Sequence, residues 1–164
     1  MMEEQGNKNQ GTIGSAAFMP REEQLEVSQR HKSISIGIPC DKGDDEKRIA
    51  LTPEAVGLLV ENGNEIIIQK GAGSGANYSD KDYSEFGAII TDSPARVYSS
   101  DVVLKVAPFE EFETEYLKGN QTILSYLNVL KLSEETLAKL IRKKVTAIAF
   151  EKIRDDLMEI RERR

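Results

Sequence analysis

The sequence predicts an α/β domain built on a mostly parallel sheet with helices on both faces. Two observations carry that expectation. From Ser33 onward, short apolar runs of strand length alternate with segments that begin on helix-start residues. Apolar runs flanked on both sides by helices are what a parallel sheet covered on both faces requires, because each crossover lays a helix over the sheet. The result is a three-layer domain of the Rossmann-like or flavodoxin-like kind, preceded by an N-terminal arm, with no internal repeat.

Taken in order, residues 1–33 are poor in large apolar groups and rich in Gly, Asn, Gln, Glu and Lys, a mixture that does not repay the entropy of ordering. They read as a flexible arm. Within it, "PREEQLEVSQRHK" opens on Pro20 and early glutamates and suits a short helix. Strands are expected at Ile34 to Ile38, Glu65 to Gln69, Ala88 to Ile90, Val102 to Val106, Thr122 to Tyr126 and Val145 to Phe150. Helices are expected at Pro53 to Glu61, with Thr52 as cap, and at Ser79 to Phe86, Pro94 to Tyr98, Glu110 to Lys118 and Ser133 to Lys143. The tail from Glu151, "EKIRDDLMEIRERR", carries five acids and five bases, and Ile153, Leu157 and Ile160 give it one thin apolar stripe. The organisation expected is therefore an arm over 1–33, a domain over 34–151 and a charged helix or tail over 152–164.

Composition excludes several classes of function. Acidic residues outnumber basic ones, 28 to 22, so no global positive field invites nucleic acid or anionic lipid. One cysteine, Cys40, makes no internal disulfide. The start has no basic segment followed by an apolar one, and no apolar run approaches the ~18 residues of a membrane span. A soluble cytoplasmic protein with no membrane partner is expected. No His, Cys, Asp and Glu cluster has metal-ligand spacing, so no metal is expected, and no Ser-His or G-x-S-x-G pattern occurs.

One stretch imitates a cofactor site. In "EIIIQKGAGSGANYSD", an expected strand leads into Gly71, Gly73 and Ala76, a G-x-G-x-x-G/A spacing, and Asp92 lies about 20 residues on. A dinucleotide loop works because a long helix starts right behind the glycines and turns its amides toward the pyrophosphate. Here Asn77, Tyr78, Ser79 and Asp80 bring a second stop and a fresh cap. The glycines then read as a turn, Asp92 as a strand-end acid or cap, and this chain offers no cofactor-binding residue of its own.

The stretch "IGIPCDKGDDEKRIALTPEAVGLLVENGNEIIIQKGAGSGANYSDKDYSEFGA", with "DVVLKVAP" and "KKVTAIAFE", resembles the N-terminal domain shared by alanine dehydrogenases and the alpha subunit of nicotinamide nucleotide transhydrogenase. The resemblance runs from about Ile34 to Glu151 and is closest to the alanine dehydrogenases. It implies an NAD-dependent oxidoreductase that interconverts L-alanine and pyruvate plus ammonia. The NAD fingerprint then belongs to a separate domain absent from these 164 residues. A homo-oligomer is implied for the full-length protein. A transhydrogenase alpha subunit, a saccharopine dehydrogenase-like protein, and a non-catalytic domain for assembly or small-acid binding remain alternatives.

The same resemblance names site residues. Arg48, in "EKRIALTP", matches the family's substrate-carboxylate arginine, whose planar fork makes two parallel charge-assisted bonds; otherwise it is one more solvated charge. Lys105, in "VVLKVAP", matches a second basic residue that binds substrate and serves catalysis at the carboxyl edge of a strand; otherwise it is a snorkelling lysine. Asn128, in "LSYLNVLK", stands where typical alanine dehydrogenases carry a catalytic histidine, and an amide exchanges no proton near neutral pH. His31, in the polar arm, is a poor replacement for it. Glu151 aligns with a family acid placed to orient Lys105 or Arg48, or else caps a helix or faces solvent. Tyr126 lines the pocket or packs beside it. Cys40 reads as a small buried hydrophobe.

Overall fold

The structure is a computed structural model that describes residues 33–41, 46–128 and 131–153. The short helix expected from Pro20, His31, and the Leu157 and Ile160 positions of the tail stripe lie outside the described residues. Among those described, strands β1 (Ser35–Ile38), β2 (Glu65–Gln69), β3 (Ile89–Thr91), β4 (Val102–Pro108), β5 (Thr122–Tyr126) and β6 (Thr146–Ala149) form one sheet in the order β3-β2-β1-β4-β5-β6, with every pair parallel. Helices α1 (Pro53–Glu61), α2 (Asp80–Glu85), α3 (Pro94–Tyr98) and α4 (Glu134–Arg142) fill the connections, with a 3₁₀ helix over Glu111–Tyr116 between β4 and β5. The chain winds outward from β1 to β3, returns across the sheet, and winds outward again through β4 to β6. That reversal makes the β1/β4 boundary the switch point of a doubly wound sheet.

Two apolar cores follow from the pleat, because alternate residues of a strand face opposite sides. Ile36, Ile38, Ile66 and Ile68 pack with Val56 of α1 and Tyr83 of α2. Val103 and Ile123 pack with Tyr98 of α3, Leu117 and Leu140 of α4. The alternation places these helix sets on opposite faces, with Ile36 and Ile38 toward α1 and α2 and Gly37 toward α3. Gly37, between Ile36 and Ile38, shows why β1 needs a glycine: a Cβ there would stand 2.1 Å from the Val97 carbonyl oxygen of α3. Backbone thus meets backbone across that layer. The outer strand β6 is the exception to coverage, since Thr146, Ala147 and Ile148 are exposed.

Caps form where the residue types ask for them. Thr52 accepts from the Ala55 amide with Pro53 next in line, Ser79 accepts from the Asp82 amide, and Ser133 accepts from the Thr136 amide. The expected helix over Glu110 to Lys118 is instead the six-residue 3₁₀ helix. Its carbonyls find a partner from outside: the Lys143 ammonium donates to the Thr114 and Leu117 oxygens, each at 2.7 Å. Its Glu113 turns inward, away from the solvent an acid on a regular surface helix would face.

At the amino end of the sheet, Asp101 ties β1 to β4. Its carboxylate accepts from the Ser35 amide and hydroxyl and from the Lys118 ammonium. These bonds, the Ser35 amide first, lower its pKa from 3.8 to about 2. A depressed carboxyl stabilises the fold above its unfolded value and ceases to as pH falls through its folded value. Asp101→Asn is therefore expected to unfold more readily than the parent near pH 6, with the difference closing as pH falls from about 4 toward 2 in urea titrations. Gly37→Ala is expected to cost about 2 kcal/mol or more by denaturant unfolding, the toll of overpacking against a fixed carbonyl. A cost below about 0.5 kcal/mol would contradict the tight contact.

Candidate functional site at the sheet switch point

In open α/β sheets, ligands sit beyond the carboxyl ends of the strands at the switch point. Here that place is formed by Pro39, Cys40 and Asp41 after β1 and by the second half of β4. Gly37 pairs with Val103, so Lys105 stands level with the first residue beyond β1. The β4/β5 register runs in step as far as Leu104 opposite Leu124, then slips, so that Pro108 faces Tyr126. Irregularities of this kind re-aim side chains beside functional sites.

Lys105 lies in that slipped stretch and is 6% exposed. It shares the pleat face of Val103 and points toward the layer of α3 and the 3₁₀ helix. Its ammonium lies 2.5 Å from Glu113 Oε1 and 3.3 Å from Asp41 Oδ1. Glu113, 2% exposed, also accepts from the Tyr98 hydroxyl on Oε1 and from the Glu110 amide on Oε2, at 2.6 Å. Burial, followed by the charge of Glu113, pushes the Tyr98 hydroxyl pKa far up, so Tyr98 stays a donor. Asp41 Oδ2 accepts from the Ala107 amide at 3.3 Å, which satisfies a backbone donor exposed by the register slip. Lys105 is thus no snorkelling surface lysine. It is a buried cation between two carboxylates, hydrogen-bonded to Glu113 and ion-paired with Asp41, whose Oδ1 accepts no hydrogen bond.

Arg48 sits on the same side of the molecule. It lines one narrow cleft, of ≈ 10 Å³, together with Asp41 and Lys105. Its side chain is 78% exposed, and Glu46 grips one edge of the fork: Nε donates to Oε1 at 2.8 Å and Nη2 to Oε2 at 2.7 Å. The guanidinium holds the Glu46 carboxyl down at about 2. Arg48 borders two wider spaces. One, of ≈ 280 Å³, runs past Asp41 to Ala72 and Gly75; the other, of ≈ 420 Å³, runs past Pro108 to Tyr126 and Glu151. Both predicted cations border the narrow cleft, which has room for about one water.

The remaining predicted residues have more definite roles than the sequence offered. Glu151 borders the cleft beside Arg48, but its carboxylate accepts from the Leu127 and Asn128 amides, at 3.3 and 2.9 Å. It orients the exit of β5 and bonds neither cation. Burial pushes its carboxyl up, but its own amide, followed by those of Asn128 and Leu127, holds it below the ordinary value. Asn128 takes a left-handed backbone, φ 39°, which asparagine adopts more readily than most residues. Among the described residues its side-chain amide has no hydrogen-bond partner. Tyr126 lines the wider cleft and lies against Phe150. Cys40 is half-buried rather than fully buried, and its amide donates to Gln69. Glu113, Asp41 and Glu46 went unassigned in the sequence. Only the fold brings Glu113 to Lys105, whereas Glu46, two residues from Arg48, carried a local signal.

The glycine loop does not suit NAD. The Gly71 amide, an anion-binding donor in a dinucleotide loop, already donates to Asp80 at 2.8 Å. Behind the glycines comes a three-residue 3₁₀ turn that ends on left-handed Asn77. The helix that follows starts with Asp80 and Asp82 in its first turn, which repel a phosphate. Close packing explains Gly75 instead, since a Cβ there would meet the Lys47 backbone at 2.9 Å. Asp92 is a strand-end acid paired with Lys70, while Ser93 occupies the cap of α3. Among the described residues no group of three or more His, Cys, Asp or Glu is placed to hold a metal, and no helix is long and apolar enough to cross a membrane.

Fold and site together define a doubly wound parallel domain with a cation-bearing cleft at its switch point. The family described as alanine dehydrogenase/PNT, N-terminal domain, matches residues 37–160, and the chain belongs to it. It is 39% identical over 119 residues to an alanine dehydrogenase of Staphylococcus saprophyticus, covering 72% of this chain and 32% of that protein. To alanine dehydrogenase 2 of Staphylococcus aureus it is 38% identical over 120 residues, covering 73% and 32%. Among solved structures, an L-alanine dehydrogenase superposes with TM-score 0.70 at 31% identity, over 76% of this chain and 34% of that one. A transhydrogenase from Sinorhizobium meliloti shares the fold, with TM-score 0.65 at 24% identity, over 71% and 35%. The chain spans about a third of the length of these relatives.

With the Gly71 amide occupied and acids at the next helix start, calorimetry on the 164-residue chain is expected to detect no NAD binding. Micromolar affinity would contradict this reading of the loop.

Proposed function

We propose that this chain is the substrate-binding part of an NAD-dependent alanine dehydrogenase, which converts L-alanine, NAD and water to pyruvate, ammonia and NADH. The observation that supports it most is the placement of Arg48, Lys105 and Asp41 along one narrow cleft at the switch point, in a chain of the alanine dehydrogenase/PNT family. NAD supplies the hydride acceptor and belongs to a part of the enzyme other than these residues. The full-length enzyme is proposed to be a cytoplasmic homo-oligomer.

What this chain does follows from its donors. Arg48 carries five N–H donors, of which Glu46 takes one edge, so the opposite edge remains for the carboxylate of pyruvate or alanine. The ammonium of Lys105 has three donors, of which Glu113 takes one, so a donor is left to the reacting carbonyl oxygen or imine as charge develops there. Asn128, held at the end of β5 by Glu151, offers hydrogen bonds to substrate but no proton transfer. Acid–base catalysis therefore falls to another group. Asn128 also favours a second reading, as part of a transhydrogenase alpha subunit or a saccharopine dehydrogenase-like protein. That reading keeps the fold and dispenses with the family histidine.

In an enzyme that joins this chain to a nucleotide-binding part, Arg48→Lys is expected to raise the Michaelis constant for pyruvate about tenfold or more, because one bidentate fork becomes one point donor. An unchanged constant would place the substrate carboxylate elsewhere.

A further inference from the structure

Lys105 is a poor place to bind a second carboxylate. Among the described residues its single positive charge faces two negative ones, Glu113 and Asp41, both within 3.3 Å. No net positive charge is left there to attract an anion, and a further carboxylate would be repelled by the two already present. A neutral acceptor meets no such repulsion. The ammonium donates one N–H to Glu113 and lies 3.3 Å from Asp41 Oδ1, an oxygen that accepts no hydrogen bond, so Glu113 anchors the lysine and the two acids confine where its other N–H bonds can point.

Glu113 is itself fixed. The Tyr98 hydroxyl and the Lys105 ammonium share Oε1, and the Glu110 amide takes Oε2, all within a layer closed by α3 and the 3₁₀ helix. The 3₁₀ winding of Glu111–Tyr116 presents Glu113 to the interior. Arg48, in contrast, is largely exposed and keeps one guanidinium edge open. A division of labour follows from these environments.

We propose that Glu113, with Asp41 opposite, is the positioning residue that makes Lys105 an aimed donor to the uncharged keto or imine group of the substrate, while Arg48 alone takes its carboxylate. The proposal rests on the functional reading above and assigns each half of a 2-oxo acid to one cation.

The experiment uses the 164-residue chain and two acids of equal size, pyruvate and propionate, which differ in the keto oxygen. Affinities come from chemical-shift titrations by NMR. The parent is expected to bind pyruvate about tenfold more tightly than propionate, the worth of one charge-assisted bond. Lys105→Met and Glu113→Gln should each abolish that preference, read as the ratio of the two affinities so that a change in local charge common to both acids cancels, and the double variant should lower the ratio no further. Tyr98→Phe, which frees Glu113 without removing its charge, should reduce the preference in part and serves if Glu113→Gln does not fold. Arg48→Ala should weaken both acids.

Equal weakening of both acids by Glu113→Gln would show general structural damage and overturn the positioning role. So would a pyruvate preference that survives Glu113→Gln and Tyr98→Phe while Lys105→Met removes it. If the parent binds neither acid, or Arg48→Ala changes nothing, the substrate-site reading itself fails and the role of Glu113 falls with it.

Discussion

A lysine ammonium held between two carboxylates beneath the end of β4 is the constraint on which the rest of this domain depends. Burying three charges together is costly unless every one is paired and hydrogen-bonded. The fold brings the partners from three segments: Asp41 after β1 as an ion pair, Tyr98 from α3, and Glu113 with the Glu110 amide from the 3₁₀ helix and its cap. The register slip of β4 and the replacement of an α-helix by a 3₁₀ helix both serve that cluster. Local propensity gave way to a tertiary requirement at these two places.

The sheet was legible in the sequence because its signals are local. Runs such as Ile66 to Ile68 are long enough to fill a buried strand, and Thr52, Ser79 and Ser133 mark helix starts by the chemistry of their side-chain oxygens. Strand order and the location of the switch point were not, since they arise from how crossovers reverse across the sheet. The segment Glu110 to Lys118 has the composition of a helix, and only the Lys143 ammonium, 25 or more positions along, explains why its carbonyls need no α-helical partners. The glycine loop misleads in the opposite way. Its spacing suits a dinucleotide, but its glycines meet the needs of tight packing against Lys47 and of a turn closed by Asp80.

The site was half legible. Arg48 and Lys105 were proposed from their strings, and that both border one cleft is a consequence of topology that the strings alone did not contain. Glu113 carried no signal, because an acid within "FEEFETEY" looks like every neighbouring acid until the fold buries it. Glu151 was expected either to orient Lys105 or Arg48 or to act as a cap or surface acid, and its carboxylate accepts from backbone amides at the end of β5. That bond helps explain Asn128, whose left-handed backbone suits asparagine whatever its role toward substrate.

The central claim is that one small acid bridges the open edge of Arg48 and an N–H of Lys105 that Glu113 does not take. A crystal structure of the chain soaked with pyruvate tests it most directly. The expected density places the carboxylate on the guanidinium and the keto oxygen within hydrogen-bond distance of the ammonium, with Glu113 unmoved. Pyruvate bound away from both cations, or a guanidinium and an ammonium turned to different clefts, would contradict it.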